Sequence, residues 1–308
     1  MFTVSKKQTY LYLVHFNFFM ADKFLIENAY IPLDKSWMIR IGILDLINGY
    51  DDTIDYLRQR KNELSDDLKA LYQASIQWKN DQNNIDVGES GTLYRFLKFS
   101  SWKLNKNKKF ILHGTLKDRK ICNDPEIINW SLDKLLTLDN GTSQWASASV
   151  LTGSQEKIFN PPCKLQTTYD AVEHWNMVRK GSMLWEPRGD KTIFAQALAY
   201  VDWRKSGKMN FTPQQAEDYC FARAFNLISA EEGEKMWPSL RGHESDRIEE
   251  MEMELSQEHV TSADHRIIQA ISMLKGNSVK IKYPNAVNKS WPQFFKFLED
   301  CQNRTGGL

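Results

Sequence analysis

Little in this chain of 308 residues marks a specialised class of protein. Cysteine is scarce. Cys122, Cys163, Cys220 and Cys301 form no CxxC pair and no cluster with histidine at zinc spacing, which argues against a metal site built on thiolates. A chain this long needs no disulfide staples, so reduced thiols are the expected state. Net charge is nearly absent, with 40 Lys and Arg against 39 Asp and Glu, which speaks against a basic nucleic-acid coat and against a disordered charged tail. No apolar run reaches the roughly 18 residues that a membrane span needs. The stretch Leu11 to Met20 is short and carries His15 and Asn17. Ala21-Asp22-Lys23 behind it makes a poor signal-peptide cleavage site, so it reads as a buried strand or an unusual extension of a cytoplasmic protein. A Walker loop, a GxGxxG turn and a nucleophilic triad are missing as well.

What is present is material for a core. Hydrophobic residues make up 42% of the chain, enough for one large domain or two medium ones. Aromatic residues fall at helical core spacing, so the 10 tryptophans read as packing and not as base-stacking platforms. Helices are expected over 37–48 with Gly49 as the C-terminal cap, through much of 52–80, and over 93–99, 130–136, 145–151, 168–179, 192–204, 217–228 and 245–255. Thr261 or Ser262 would cap the helix that carries Asp264, His265 and Arg266 and stops at Gly276. Ser290 would cap the last one, with Trp291 and Pro292 in its first turn. Phe24-Leu25-Ile26, Tyr30-Ile31, Phe110-Ile111-Leu112 and Val279-Lys280-Ile281 read as extended. Short strands among helices give the class α/β or α+β.

Cations recur where loops open onto helices: Lys35, Arg40, Arg95, Arg119, Arg247, Arg266 and Lys289. A helix N-terminus offers free N–H groups and the positive end of the dipole, so a lysine or arginine there makes a phosphate or carboxylate site. Taken singly, each reads as a solvated helix start. Together they point to substrates with several negative groups. Glu244, Asp218 and Asp190 are the acids placed for proton transfer, with helix capping as their structural alternative. Asp246 and Asp264 read as structural partners of the neighbouring arginines, and His265 alone is a weak signal.

In order along the chain these turns resemble the motif series of the 5-enolpyruvylshikimate-3-phosphate synthase family. Asp34-Lys35-Ser36 with Arg40 is similar to its Lys-Ser-x-x-x-Arg loop, and Gly88-Glu89-Ser90-Gly91-Thr92 with Arg95 to its Gly-Asn-x-Gly-Thr-x-x-Arg turn. Asp118-Arg119-Lys120 and Thr142-Ser143-Gln144 match two further turns. Gly189-Asp190, His243-Glu244-Ser245-Asp246-Arg247, Asp264-His265-Arg266 and Asn288-Lys289-Ser290-Trp291-Pro292 match the second half of the series.

The resemblance implies a two-domain enolpyruvyl transferase fold, each domain built from repeated βαβαββ units, some of them truncated. The domains would be 31–186, and 1–30 with 187–308, around an active-site cleft. It implies transfer of the enolpyruvyl group of phosphoenolpyruvate to the 5-hydroxyl of shikimate 3-phosphate, with release of phosphate, by a monomer without cofactor or metal. Nucleic acid and membrane are not expected partners. Lys35, Gly91, Arg119, Arg247, Arg266 and Lys289 would hold phosphoenolpyruvate. Ser36, Arg40, Thr142, Ser143, Gln144 and His243 would hold the acceptor. Lys35, Asp218 and Glu244 would move protons, with Thr92, Arg95 and His265 in support. Glu89 stands where the family has Asn, and His243 where it has Lys. A different hydroxyl acceptor, or a non-catalytic binding role, therefore stays open beside the first reading.

Overall fold

Asp34 accepts a hydrogen bond from the backbone N–H of Trp37 at 2.9 Å and caps helix α1 (Lys35–Asn48), which ends on Gly49 at φ +80°. Only glycine adopts that conformation without a Cβ penalty. Residues 37 to 46 of α1 are all buried, so this helix runs through the middle of its unit instead of lying on a surface. Its buried Asp45 accepts from the Thr53 hydroxyl at 2.7 Å and from Trp175 Nε1 at 2.8 Å, which ties both neighbours to the axis. Against α1 pack α2 (Asp52–Gln59), α3 (Asp66–Lys79), α4 (Gly91–Lys103), α5 (Gln144–Thr152) and α6 (Gln166–Arg179).

This is a computed structural model, and it describes residues 24–25, 30–153, 162–241 and 246–305. The chain forms two compact units, Leu33–Arg188, and Met1–Pro32 with Gly189–Leu308, each with its own apolar core. In the second, Asp190 caps α7 (Lys191–Ser206) through the Ile193 N–H at 3.0 Å, and Gly207 at φ +69° closes it. Then follow α8 (Tyr219–Ala224), α9 (Ala230–Met236), α10 (Arg247–Ser256), α11 (His265–Lys275) and α12 (Phe294–Thr305). Tyr30, Tyr200, Trp291, Phe294 and Phe297 form its fully buried aromatic centre.

Two small parallel ladders complete the described residues. In the 33–188 unit β1 (Asn84–Asp86) pairs with β2 (Lys109–Ile111), Asn84 opposite Lys109. In the other, β3 (His259–Val260) pairs with β4 (Lys280–Ile281). Each ladder is a minimal βαβ unit, with α4 or α11 as its crossover.

The expected α/β or α+β class, with its βαβαββ units, is therefore wrong: 64% of the described residues are helical and 5% are strand. The reason is chain length. Only Gly49 to Asp51 separate α1 from α2, which leaves no room for a strand and its turns. Four further local expectations change. Phe24 and Leu25 are helical, not extended. Asp264 caps α11 in place of Thr261 or Ser262. The region 217–228 holds only the short α8, after a 3₁₀ turn at Ala216–Asp218. The last helix begins at Phe294, so Ser290 does not cap it, and accepts instead from Gln269 Nε2 at 3.2 Å. The stretch Leu11 to Met20 lies outside the described residues.

Candidate functional site

In the 33–188 unit the first turns of four helices are neighbours. Arg40 in α1 donates from Nε to the Thr168 hydroxyl of α6 at 2.8 Å and from Nη1 to the Ser36 hydroxyl at 2.6 Å. Thr168 passes a hydrogen bond to Ser147 of α5 at 2.8 Å, and the Arg40 guanidinium lies over Phe96 of α4. Arg95, in the second turn of α4, reaches Gln144, the first residue of α5, at 2.7 Å. The positive ends of four helix dipoles thus share one end of this unit.

That end holds the residues singled out between Lys35 and Gln144, in two different states. Arg40 and Arg95 are buried and committed. Burial pulls the Arg40 guanidinium down to about 10, so it stays protonated at neutral pH. Arg95 donates to Asp139 at 2.7 Å as well as to Gln144, and the Gln144 amide donates to the Thr92 hydroxyl at 2.8 Å. Both arginines therefore organise the site from beneath. Lys35 and Arg119 are more open. Lys35 pairs with Asp67 of α3 at 2.9 Å. Arg119 packs on the first turn of α4, where a Cβ on Gly91 would come 3.3 Å from Arg119 Nη1 and 3.0 Å from Arg95 Nη1. A side chain at 91 would therefore crowd the tips of both guanidinium groups. Thr142 and Ser143 lead into α5.

The second unit repeats the arrangement with other residues. Gln196 of α7 donates to Asp218 at 2.9 Å, just before α8, and Gln215 beside it donates to the Thr192 hydroxyl. Arg266 in α11 approaches Glu217 at 3.5 Å. Arg247, the first residue of α10, donates from Nε to Asp264, the cap of α11, at 2.7 Å. The starts of α7, α8, α10 and α11 are thereby joined. Burial alone would push the Asp264 carboxyl up. Arg247, His265 and Arg266 outweigh it and hold Asp264 well below the usual carboxylate range.

Asp218 is buried and accepts from the backbone N–H groups of Gln214 and Gln215 besides Gln196, so its orientation is set by three donors. Asp190 is a helix cap. Lys289 ends a 3₁₀ turn one residue before Ser290, whose hydroxyl bonds Gln269 of α11. His243 and Glu244 lie outside the described residues.

Several residues of these networks escape a reading of the sequence, among them Asp67 under Lys35, Thr168 beside Arg40, and Asp139 behind Arg95. Only Asp139 left a trace, since Asp-Asn-Gly is a turn signature. A scan of family models and searches of curated proteins and of solved structures returned no match to this chain.

Proposed function

We propose that this protein transfers the enolpyruvyl group of phosphoenolpyruvate to a hydroxyl of an anionic acceptor, the 5-hydroxyl of shikimate 3-phosphate, and releases phosphate. The observation that carries the reading is the gathering of motif residues at helix starts. Gly91, Thr92, Arg95, Arg119 and Gln144 join in one unit. Asp218, Arg247, Asp264 and Arg266 join in the other. Such ends suit phosphate and carboxylate groups, because backbone N–H groups, dipoles and guanidinium groups act together.

In this reading Arg119, Gly91 and Lys35 of the 33–188 unit serve phosphoenolpyruvate. The acceptor oxygen bonds to C2 of the enolpyruvyl group as its proton leaves to a carboxylate. A proton is added to the methylene carbon from Lys35, and is lost again as the bond to phosphate oxygen breaks. The test is phosphate release measured with both substrates and with each alone. Folded protein that releases none with both present sinks the proposal.

One observation favours a second acceptor. Arg40, expected on shikimate 3-phosphate, is buried and engaged by Ser36 and Thr168. If a different hydroxyl compound is the acceptor, phosphoenolpyruvate will raise the melting temperature while shikimate 3-phosphate leaves it unchanged.

A further inference from the structure

The parallel ladder of the 33–188 unit has one edge that is capped and one that is open. Lys109 N–H donates to the Asn83 carbonyl at 2.8 Å, Val87 N–H to the Ile111 carbonyl at 3.2 Å, and His113 N–H to the Gly88 carbonyl at 2.9 Å. Residues 109, 111 and 113 therefore turn their backbone groups toward β1 and its continuation. Successive residues of a strand present these groups to opposite sides, so Phe110 and Leu112 turn theirs away. On the outer side of β1, the Asp86 N–H is taken by Gln77 Oε1 of α3 at 2.7 Å. On the outer side of β2 no such cap occurs among the described residues, and β1 is the one strand paired with it there.

The open edge lies within a stretch of one-sided charge. Residues 98 to 120 hold eight lysines and arginines against Asp118 alone, in a chain that is balanced as a whole. Lys103, Lys106 and Lys109 are exposed, and so is Ile111. Lys98 is half-buried, with its ammonium over the rings of Trp102 at 5.1 Å and Phe110 at 5.6 Å. Burial pulls that ammonium below the usual lysine range, and no carboxylate among the described residues forms an ion pair with it.

A short edge strand carrying lysine is also a device that keeps strands apart. Lys109 turns away a second copy of the same cationic edge. It does not turn away an acidic strand. For an acidic strand, the outward backbone groups of Phe110 and Leu112 and the half-buried Lys98 charge are all complementary.

We propose that the outer edge of β2 receives an acidic, extended segment of a partner protein, which pairs its backbone with Phe110 and Leu112 and sets carboxylates against Lys98 and Lys109. The proposal is independent of the enolpyruvyl reading. An extended peptide uses both the backbone edge and the cations, whereas RNA or an anionic lipid surface uses the lysines alone.

The test uses the full-length protein and a fluorescent peptide of alternating glutamate and valine. Anisotropy should show binding that weakens with added salt. Lys109→Glu should weaken it about tenfold, and Lys98→Gln by a similar factor. Lys208→Glu makes the same charge change at an exposed site of the other unit, and should leave affinity within about twofold of the parent. N-methylation of one alternate set of peptide amides should abolish binding, and of the other set should not. By nuclear magnetic resonance, the Phe110 and Leu112 amide protons should exchange fast in the free protein and slowly in the complex. No binding at about 1 mM peptide, indifference to N-methylation of either set, or unchanged exchange at Phe110 and Leu112 overturns the proposal. Equal losses from Lys109→Glu and Lys208→Glu overturn it too, as the mark of non-specific attraction. An RNA oligomer or a phosphatidylserine vesicle that binds more tightly than the peptide and displaces it would assign the surface to that ligand instead.

Discussion

Arg247 donates to Asp264 at 2.7 Å, and the same carboxylate caps α11 through the Arg266 N–H at 2.8 Å. One side chain thus joins the starts of two helices and neutralises a largely buried cation. Substituting Asp264→Asn keeps a capping oxygen but removes the negative charge that faces Arg247 at 2.7 Å, which should destabilise the protein by about 3 kcal/mol at neutral pH. The sign of the pH dependence follows from the depressed carboxyl. Its stabilisation is complete above the unfolded carboxyl value of about 4, and is lost as the pH falls through the lower folded value. Urea midpoints of parent and variant should therefore converge as the pH drops below about 4. A gap unchanged down to acid-induced unfolding would count against this account.

Much of the local structure was legible in the sequence. Gly49 and Gly207 both mark helix ends, because a left-handed cap after an apolar periodic run has few other readings. Lys109–Ile111 and Lys280–Ile281 lie at the extended segments read at 110–112 and 279–281. The expected architecture failed because it came from turn motifs. A motif of six residues describes a turn and the first turn of a helix, and is silent on how many strands surround them. The partners inside the site were hidden for a different reason. Asp139 meets donors 44, 17 and 6 residues away, and Lys35 meets Asp67 across 32 residues, separations that no local pattern encodes.

Arg40 is the strongest case of a candidate ligand residue whose work is internal. Arg40→Ala removes its bonds to Thr168 and Ser36 and its contact with Phe96, and opens a cavity among four helices. The cost should be about 3 kcal/mol, read from urea denaturation. As a control, Arg58→Ala removes a cation whose side chain is 60% exposed and should leave the midpoint unchanged. Similar shifts for both variants would show that Arg40 is not the anchor described.

The four thiols should separate by burial. Cys163 is exposed and Cys122 half-buried, while Cys220 and Cys301 are buried. Burial, with Asp264 nearby, pushes the Cys220 thiol up to about 12, so little thiolate forms at any pH the fold tolerates. A colorimetric disulfide reagent should therefore find one fast thiol in the native protein, and two that react only after denaturation. Cys163→Ser should abolish the fast phase, and its persistence would contradict the assignment.

Residues 33–188 should fold when expressed alone. Among the described residues, the core around the buried stretch 37–46 of α1 is built from within that span, by α2 to α6 and their apolar residues. The expected result is a helical far-ultraviolet spectrum and a single cooperative urea transition. Residues 189–308 should behave differently, because their core is completed by Phe24, Leu25 and Tyr30 from the other side of the chain. The Tyr30 ring packs on Phe297 with centroids 5.6 Å apart, and its carbonyl accepts from Trp291 Nε1 at 2.7 Å. Losing that ring alone is worth about 3–5 kcal/mol, a large part of a domain's stability. The 189–308 fragment should thus bind a hydrophobic dye and unfold without a sharp transition, and fusing residues 24–32 to it through a flexible linker should restore cooperativity. A cooperative 189–308 fragment, or a disordered 33–188 fragment, would show that the two cores are not built as described.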